Sequence, residues 1–257
     1  MWFDSHWWAD VSSWGPSYVA WDSPSALDWD SLPVSYMQQR VVAAASLLRG
    51  LVPYAHHHMA YWNVPDSWVN ITVQGAAGGA NGGGSTFTPG IGLDCSDMSH
   101  FSYNWGLGVS LNSDVADQGA AMSAPYSRTG MPSTMLNATV VFNATQMPPQ
   151  ITLAELVSLL QPGDLLYIRG DATATGGDTS GCEIDNPITH VVMYLGALAY
   201  DTNDFDHVLV FDSHGGAVQD SNNVTVPTGP HIRPMRDVGS GAQRYYYDCL
   251  QHVLRWI

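Results

Sequence analysis

Cys95, in the segment GLDCSDMSHF, stands where a helix is expected to begin. A cysteine in the first turn of a helix meets the positive end of the helix dipole and free backbone N–H groups, both of which favour its thiolate. A thiolate nucleophile needs a base and a third group to orient that base. His190 heads the apolar run HVVMYLG, where core packing explains a polar residue poorly. Downstream, VLVFDSHGG places Asp212 and His214 at the end of another apolar run, two residues apart and so on one face of a strand. Singly, each residue has a plainer reading. A lone buried cysteine packs as a small hydrophobe, and a strand-end histidine simply hydrogen-bonds. As a Cys–His–polar set on a helix and two strands, they suit nucleophilic attack on an acyl group.

The run His56-His57-His58 admits two readings. Imidazoles bind zinc or copper. Adjacent residues of an extended chain point to opposite sides, however, so three in a row do not converge easily on one ion. No HExxH and no Cys/His pair at ligand spacing accompanies them. The expectation is therefore no metal and no cofactor, with one or two of these histidines lining a substrate cleft.

The elements that must hold these residues follow from local patterns. From Pro33 to Leu51, Met37, Val41, Ala45 and Leu48 recur at helical spacing, and Pro53 is placed to stop the helix. A second helix is expected from Cys95, with Met98, Phe101 and Trp105 on one stripe and Gly106 and Gly108 at its end. Residues 109–150 read as loop-rich. Thr152 to Glu155 form a capping box before a short helix that ends at Gln161-Pro162-Gly163. Three strands are expected at Asp164–Ile168, His190–Leu195 and Val208–Asp212. Helices first and strands later, without βαβ alternation, predict an α+β domain with N-terminal helices packed on a mostly antiparallel sheet. There is no phosphate-binding glycine motif.

Composition bounds the partners. The chain has 257 residues, 23 acidic against 8 basic, for a formal net charge of −15. All the basic residues are Arg. Nucleic acid is excluded as a natural partner, because its phosphates call for a basic face. The apolar stretch Val41–Val52 is interrupted by Arg49 and too short to span a bilayer. The first ten residues, MWFDSHWWAD, lack the features of a secretory signal, so the protein stays inside the cell or the chain begins after a removed leader. Residues 1–35 carry six tryptophans without a clean period and read as a segment draped on or preceding a domain spanning 36–257. The glycine-rich 75–84 reads as a surface loop. Cys182 and Cys249 could pair in an exported protein, provided their Cα atoms lie close enough.

Three blocks in order give the chain a resemblance to the NlpC/p60 papain-like cell-wall peptidases: RVVAAASLLRGLVPY, then GLDCS and its helix, then LQPGDLLYIRG followed by ITHVVMYLG. The blocks lie within residues 38–216. The resemblance implies a papain-like α+β fold in which Cys95 is the nucleophile and His190 the base. The polar third position falls on Asp212, with His214 as runner-up. Tyr54 matches a tyrosine on the acyl side of the cleft. Asp94 matches an acid able to pair with a substrate ammonium, and Ser96, His57 and His58 fall among the substrate-binding candidates. The implied substrate is the peptidoglycan stem peptide, cut at a γ-D-glutamyl bond to a diamino acid by a secreted, periplasmic or wall-associated monomer.

The chain departs from the family pattern at His56-His57-His58, where Trp-Gly-Gly is usual. It departs again at Asp97, where a small glycine is usual, and in insertions at 75–90, 109–150 and 170–187. These departures bear on substrate. Two other readings stay open: a related amidase or acyltransferase acting on a lipid or small amide, and a non-catalytic wall-binding protein using the Trp-rich start.

Overall fold

The computed structural model describes residues 32–50, 54, 93–112, 114–126, 134–169, 182–185, 187–197, 208–215, 218–219, 225–226, 229–239 and 244–257. The Trp-rich start, the histidine run, the glycine-rich 75–84 and most of 170–187 lie outside them.

Two helices match local signals closely. Helix α1, Val34–Ser46, buries Val41, Ala44 and Ala45, with Leu48 buried just beyond its end. It ends well before Pro53: the chain passes into turns at Leu47, and Gly50 takes a positive φ of 67°. Helix α2, Cys95–Leu107, is capped by the Asp94 side chain, which accepts from the Asp97 N–H, and closes on Gly108 in the left-handed conformation. Nearly every residue of α2 is buried, polar ones included. Such a helix is packed on all sides rather than lying on a surface. The close approach of α1 explains Gly106, because a Cβ there would sit 3.0 Å from the Val41 Cα. The Arg40 Nε donates to the Gly106 carbonyl at the same crossing.

Residues 109–150 correct the loop-rich expectation. They hold helix α3, Val115–Ala120, and strands β1, Ser123–Tyr126, β2, Thr134–Asn137, and β3, Thr139–Asn143. These strands are short, and the β3 sequence TVVFN is half-exposed, so its hydrophobic period is weak. It becomes a strand by pairing with a chain end more than a hundred residues away. Helix α4, Leu153–Leu159, has the expected reciprocal capping box between Thr152 and Glu155. Then come β4, Leu165–Arg169, β5, Ile188–Ala197, β6, Val208–His214, β7, Val218–Gln219, β8, Thr225–Val226, and β9, Gly229–Pro234. Helix α5, Tyr245–Asp248, and β10, Leu250–Arg255, follow.

The main sheet runs β3-β10-β4-β5-β6-β9, and every pairing among the described strands is antiparallel. The fold is therefore α+β, as the pattern of elements predicts. Alternate residues of the central strands serve two cores. Leu165, Tyr167, Val191, Met193 and Phe211 pack with α1 and α2, while Leu166, Ile168, Val192, Tyr194 and Val210 pack with α4 and α5. Both faces are covered, which is why β4 and β5 read as continuous apolar runs rather than alternating ones. No helix among the described residues is long and apolar enough to cross a membrane. Cys182 and Cys249 form a disulfide with Cα atoms 5.0 Å apart, joining the segment before β5 to the end of α5.

Candidate active site

The N-terminus of α2, the start of β5 and the end of β6 meet at one place. Cys95 is the first residue of α2 and is only 6% exposed. Its position is braced from two directions. The Ser213 hydroxyl donates to the Leu93 carbonyl at 2.5 Å, tying β6 to the approach to the helix. Beneath the first turn, the Gln118 amide donates to the Ser96 carbonyl at 3.3 Å and accepts from the Ser99 hydroxyl at 2.8 Å.

His190 lies between a thiol and a carboxylate. Its side chain is hydrogen-bonded to Cys95, and its Nε2 lies 2.7 Å from Asp212 Oδ1. An ionised carboxylate only accepts, so Nε2 carries the proton and Nδ1 is the nitrogen left for the sulfur. The second oxygen of Asp212 accepts from the Tyr246 hydroxyl and lies 3.3 Å from the Arg233 Nε. His214, two residues along β6, instead meets the His190 ring edge-on with centroids 5.5 Å apart. Of the two candidates for the third position, it is Asp212 that reaches the ring nitrogen turned away from Cys95.

Electrostatics follow from this packing. Burial pushes the His190 pKa down, but Asp212 and the Cys95 sulfur more than reverse it and hold the imidazole well above its ordinary range. Burial likewise opposes ionisation of Asp212, yet His190, His214 and Arg233 keep that carboxyl well below the usual carboxylate range. For Cys95 the balance goes the other way. Burial raises the thiol pKa, and the opposing pull of His190 and of the Val191 backbone N–H is smaller. The helix terminus alone was expected to favour the thiolate; in the folded chain, desolvation of the sulfur outweighs it. The imidazolium of His190 is then what makes the thiolate accessible.

The remaining candidates take varied places. Half-buried Tyr54 sits beside the cluster: burial raises its phenol pKa, and Cys95, Asp94 and Asp212 add to the rise. Gly215 makes room for it, since a Cβ there would lie 3.0 Å from the Tyr54 ring. Asp94 is buried, and its Oδ1 accepts from the Asp97 N–H at 2.9 Å and the Ser96 hydroxyl at 3.1 Å. Both Asp94 and Ser96 thus take part in capping α2. His57 and His58 lie outside the described residues. Among the described residues, no three His, Cys, Asp or Glu side chains group as a metal site.

Sequence reasoning missed Arg233, Tyr245 and Tyr246. Arg233 and Tyr246 touch Asp212, and the Tyr245 and Tyr246 rings each lie 6.2 Å from the His190 ring. The only available signal was the charged Arg233 in an otherwise weakly polar strand, GPHIRP.

An α+β domain carrying a buried Cys–His–Asp constellation at a helix N-terminus is the class that fold and site define. No protein-family model matches the chain, and no curated protein matches it. Among solved structures, the peptidoglycan hydrolase RipB from Mycobacterium tuberculosis is similar at 17% identity and a TM-score of 0.38, covering 89% of this chain and 70% of that one.

Proposed function

We propose that this protein is a cysteine peptidase or amidase that hydrolyses an amide bond in peptidoglycan stem peptides, between a γ-D-glutamyl residue and a diamino acid. The observation that carries the reading is His190, held by Asp212 at Nε2 and in contact with the Cys95 thiol on its other side. That arrangement can make a thiolate, deliver a proton and take one back. The choice of substrate rests on the resemblance of the three sequence blocks to the NlpC/p60 peptidases.

In this reading His190 takes the Cys95 proton through Nδ1, and the thiolate attacks the carbonyl carbon. The developing oxyanion is met by the Cys95 backbone N–H at the start of α2. The imidazolium then protonates the leaving amine, the C–N bond breaks, and a thioester to Cys95 remains. Water, deprotonated by His190, attacks the thioester and releases the acid and the thiol. Asp212 holds the ring in one tautomer and stabilises its charged form. Tyr54 lines the acyl side, and Asp94 lies next to it.

The test is incubation of the protein with purified peptidoglycan and mass analysis of the soluble fragments, with Cys95→Ala in parallel. Expected are stem-peptide fragments with a new amine on the diamino acid, absent with Cys95→Ala. Release of a fatty acid from a lipid substrate instead would move the protein to the acyltransferase reading. Wall binding without any Cys95-dependent product would leave only a binding protein.

A further inference from the structure

Asp212 is held from three elements besides its own. His190 on β5 takes Oδ1, while Tyr246 on α5 and Arg233 on β9 both address Oδ2. Arg233 and Asp212 are each 0% exposed and Tyr246 is 5% exposed. A fully buried guanidinium is rare, because removing its charge from water is unfavourable unless a specific partner compensates. Here the partner is the carboxylate that orients the site histidine. The guanidinium is itself set by its own strand, its NH2 group donating to the Gly229 carbonyl at 3.4 Å. Its placement follows from strand register: Arg233 pairs across from Val210, two residues from Asp212, whose direct partner is His231. A side chain as long as Arg spans that diagonal.

We propose that Arg233 and Tyr246 are positioning residues that clamp Oδ2 of Asp212 so that Oδ1 is presented to His190, and that the buried charge of Arg233 sets the pH range in which Cys95 reacts. With one oxygen tied by the Tyr246 hydroxyl and drawn to the Arg233 charge, the carboxylate is held from rotating away from Nε2. The charge has a second effect. A fixed cation inside the cluster favours the deprotonated form of each neighbouring group, so its removal makes Asp212, His190 and Cys95 all harder to deprotonate. Among the described residues, the other titratable groups facing the cluster are His214 on β6, Tyr245 on α5, Tyr54, Asp94 and, across the strand pair, His231. None of them supplies a permanent positive charge.

The inference rests on the proposed role of Cys95 and His190, and its test separates the two. The rate of Cys95 alkylation by iodoacetamide is measured against pH for the wild-type chain and for His190→Ala, Arg233→Met, Arg233→Lys and Tyr246→Phe. The His190 ring nitrogens are followed in parallel by 15N NMR. Expected is an upward displacement of the whole profile by about one pH unit in Arg233→Met, the low end of what loss of a nearby charge produces. The Lys variant should lie close to wild type. Tyr246→Phe, nearly isosteric, should displace the profile less but in the same direction, with a mixture of His190 tautomers replacing one. Where Arg233→Met does not fold, Tyr246→Phe and the NMR tautomer decide. Wild-type profiles and a single tautomer in the folded variants would overturn the clamp. A wild-type profile identical to that of His190→Ala would instead overturn the catalytic reading and leave the ring-nitrogen measurement to judge the clamp.

Discussion

Replacing Asp212 by Asn exchanges one carboxylate oxygen for an amide nitrogen with almost no change of shape. In the native site two donors and a cation converge on that carboxylate: His190 Nε2–H at 2.7 Å, the Tyr246 hydroxyl and the Arg233 guanidinium, whose Nε lies 3.3 Å away as an ion pair. An amide cannot satisfy them all. With its oxygen toward His190, its NH2 group confronts the N–H of Arg233. Turned the other way, it donates to Nε2, which forces the ring proton onto Nδ1 and removes the acceptor the Cys95 thiol needs. The permanent charge of Arg233 favours the second orientation. The expected loss is about 10³- to 10⁴-fold in kcat/KM, or roughly 4–5.5 kcal/mol of barrier, by analogy with loss of the orienting carboxylate in a serine-protease triad. Stability should fall by about 3–5 kcal/mol as well, because Arg233 is left buried without its counter-charge. The assay pairs fragment release from peptidoglycan with a urea unfolding curve, so that lost activity is counted per folded molecule. His214→Ala, which removes an edge-on ring contact and a weaker electrostatic influence on Asp212 but leaves the His190–Asp212 bond in place, should cost less than about tenfold. The reasoning is refuted if Asp212→Asn keeps activity within tenfold of wild type while His214→Ala silences the protein.

Cys95→Ser should abolish turnover with little effect on unfolding, and iodoacetamide should label Cys95 alone without reductant, since the other two cysteines are paired. Peptide mapping that finds the label on Cys182 or Cys249 would count against this. Replacing Cys182 and Cys249 by Ser opens a bridge between residues 67 apart and should lower stability by about 4 kcal/mol, read from denaturant midpoints with and without reductant. His252, stacked on Tyr167 and held at the Gly119 carbonyl, has its pKa pushed by burial from 6.5 down to about 4. Folding therefore favours its neutral form. Stability is full above pH 6.5 and is lost as pH falls toward 4, by roughly 3 kcal/mol at 1.36 kcal/mol per pH unit. Unfolding at pH 7 and 4.5 should show this slope in the wild type and a smaller one in His252→Phe. Gly106→Ala drives a methyl into the α1 backbone at 3.0–3.2 Å and should lower stability by about 1–3 kcal/mol, visible as a reduced Tm.

What could be read from the sequence alone was what short-range physics specifies. The Thr152–Glu155 capping box, the start of α2 at Cys95, the left-handed stop at Gly108 and the apolar runs of β4, β5 and β6 each depend on a few neighbouring residues. The parity of Asp212 and His214 at a strand end narrowed the third position to two residues but could not choose between them. That choice belongs to the tertiary structure, because it turns on which side chain the β5–β6 register carries to Nε2. The edge strand β3, the closing strand β10 and the sheet-edge strand β9 were likewise illegible: each is short, and each exists by pairing with a distant partner. The Cys182–Cys249 bridge stayed open in the sequence for want of a Cα separation. Beyond the charge of Arg233 in its strand, nothing local tied Arg233 and Tyr246 to Asp212, from which they lie 21 and 34 residues away on separate elements. A buried polar group is meaningful only through the partner that compensates its desolvation, and that partner is assigned by packing across the chain rather than by spacing along it.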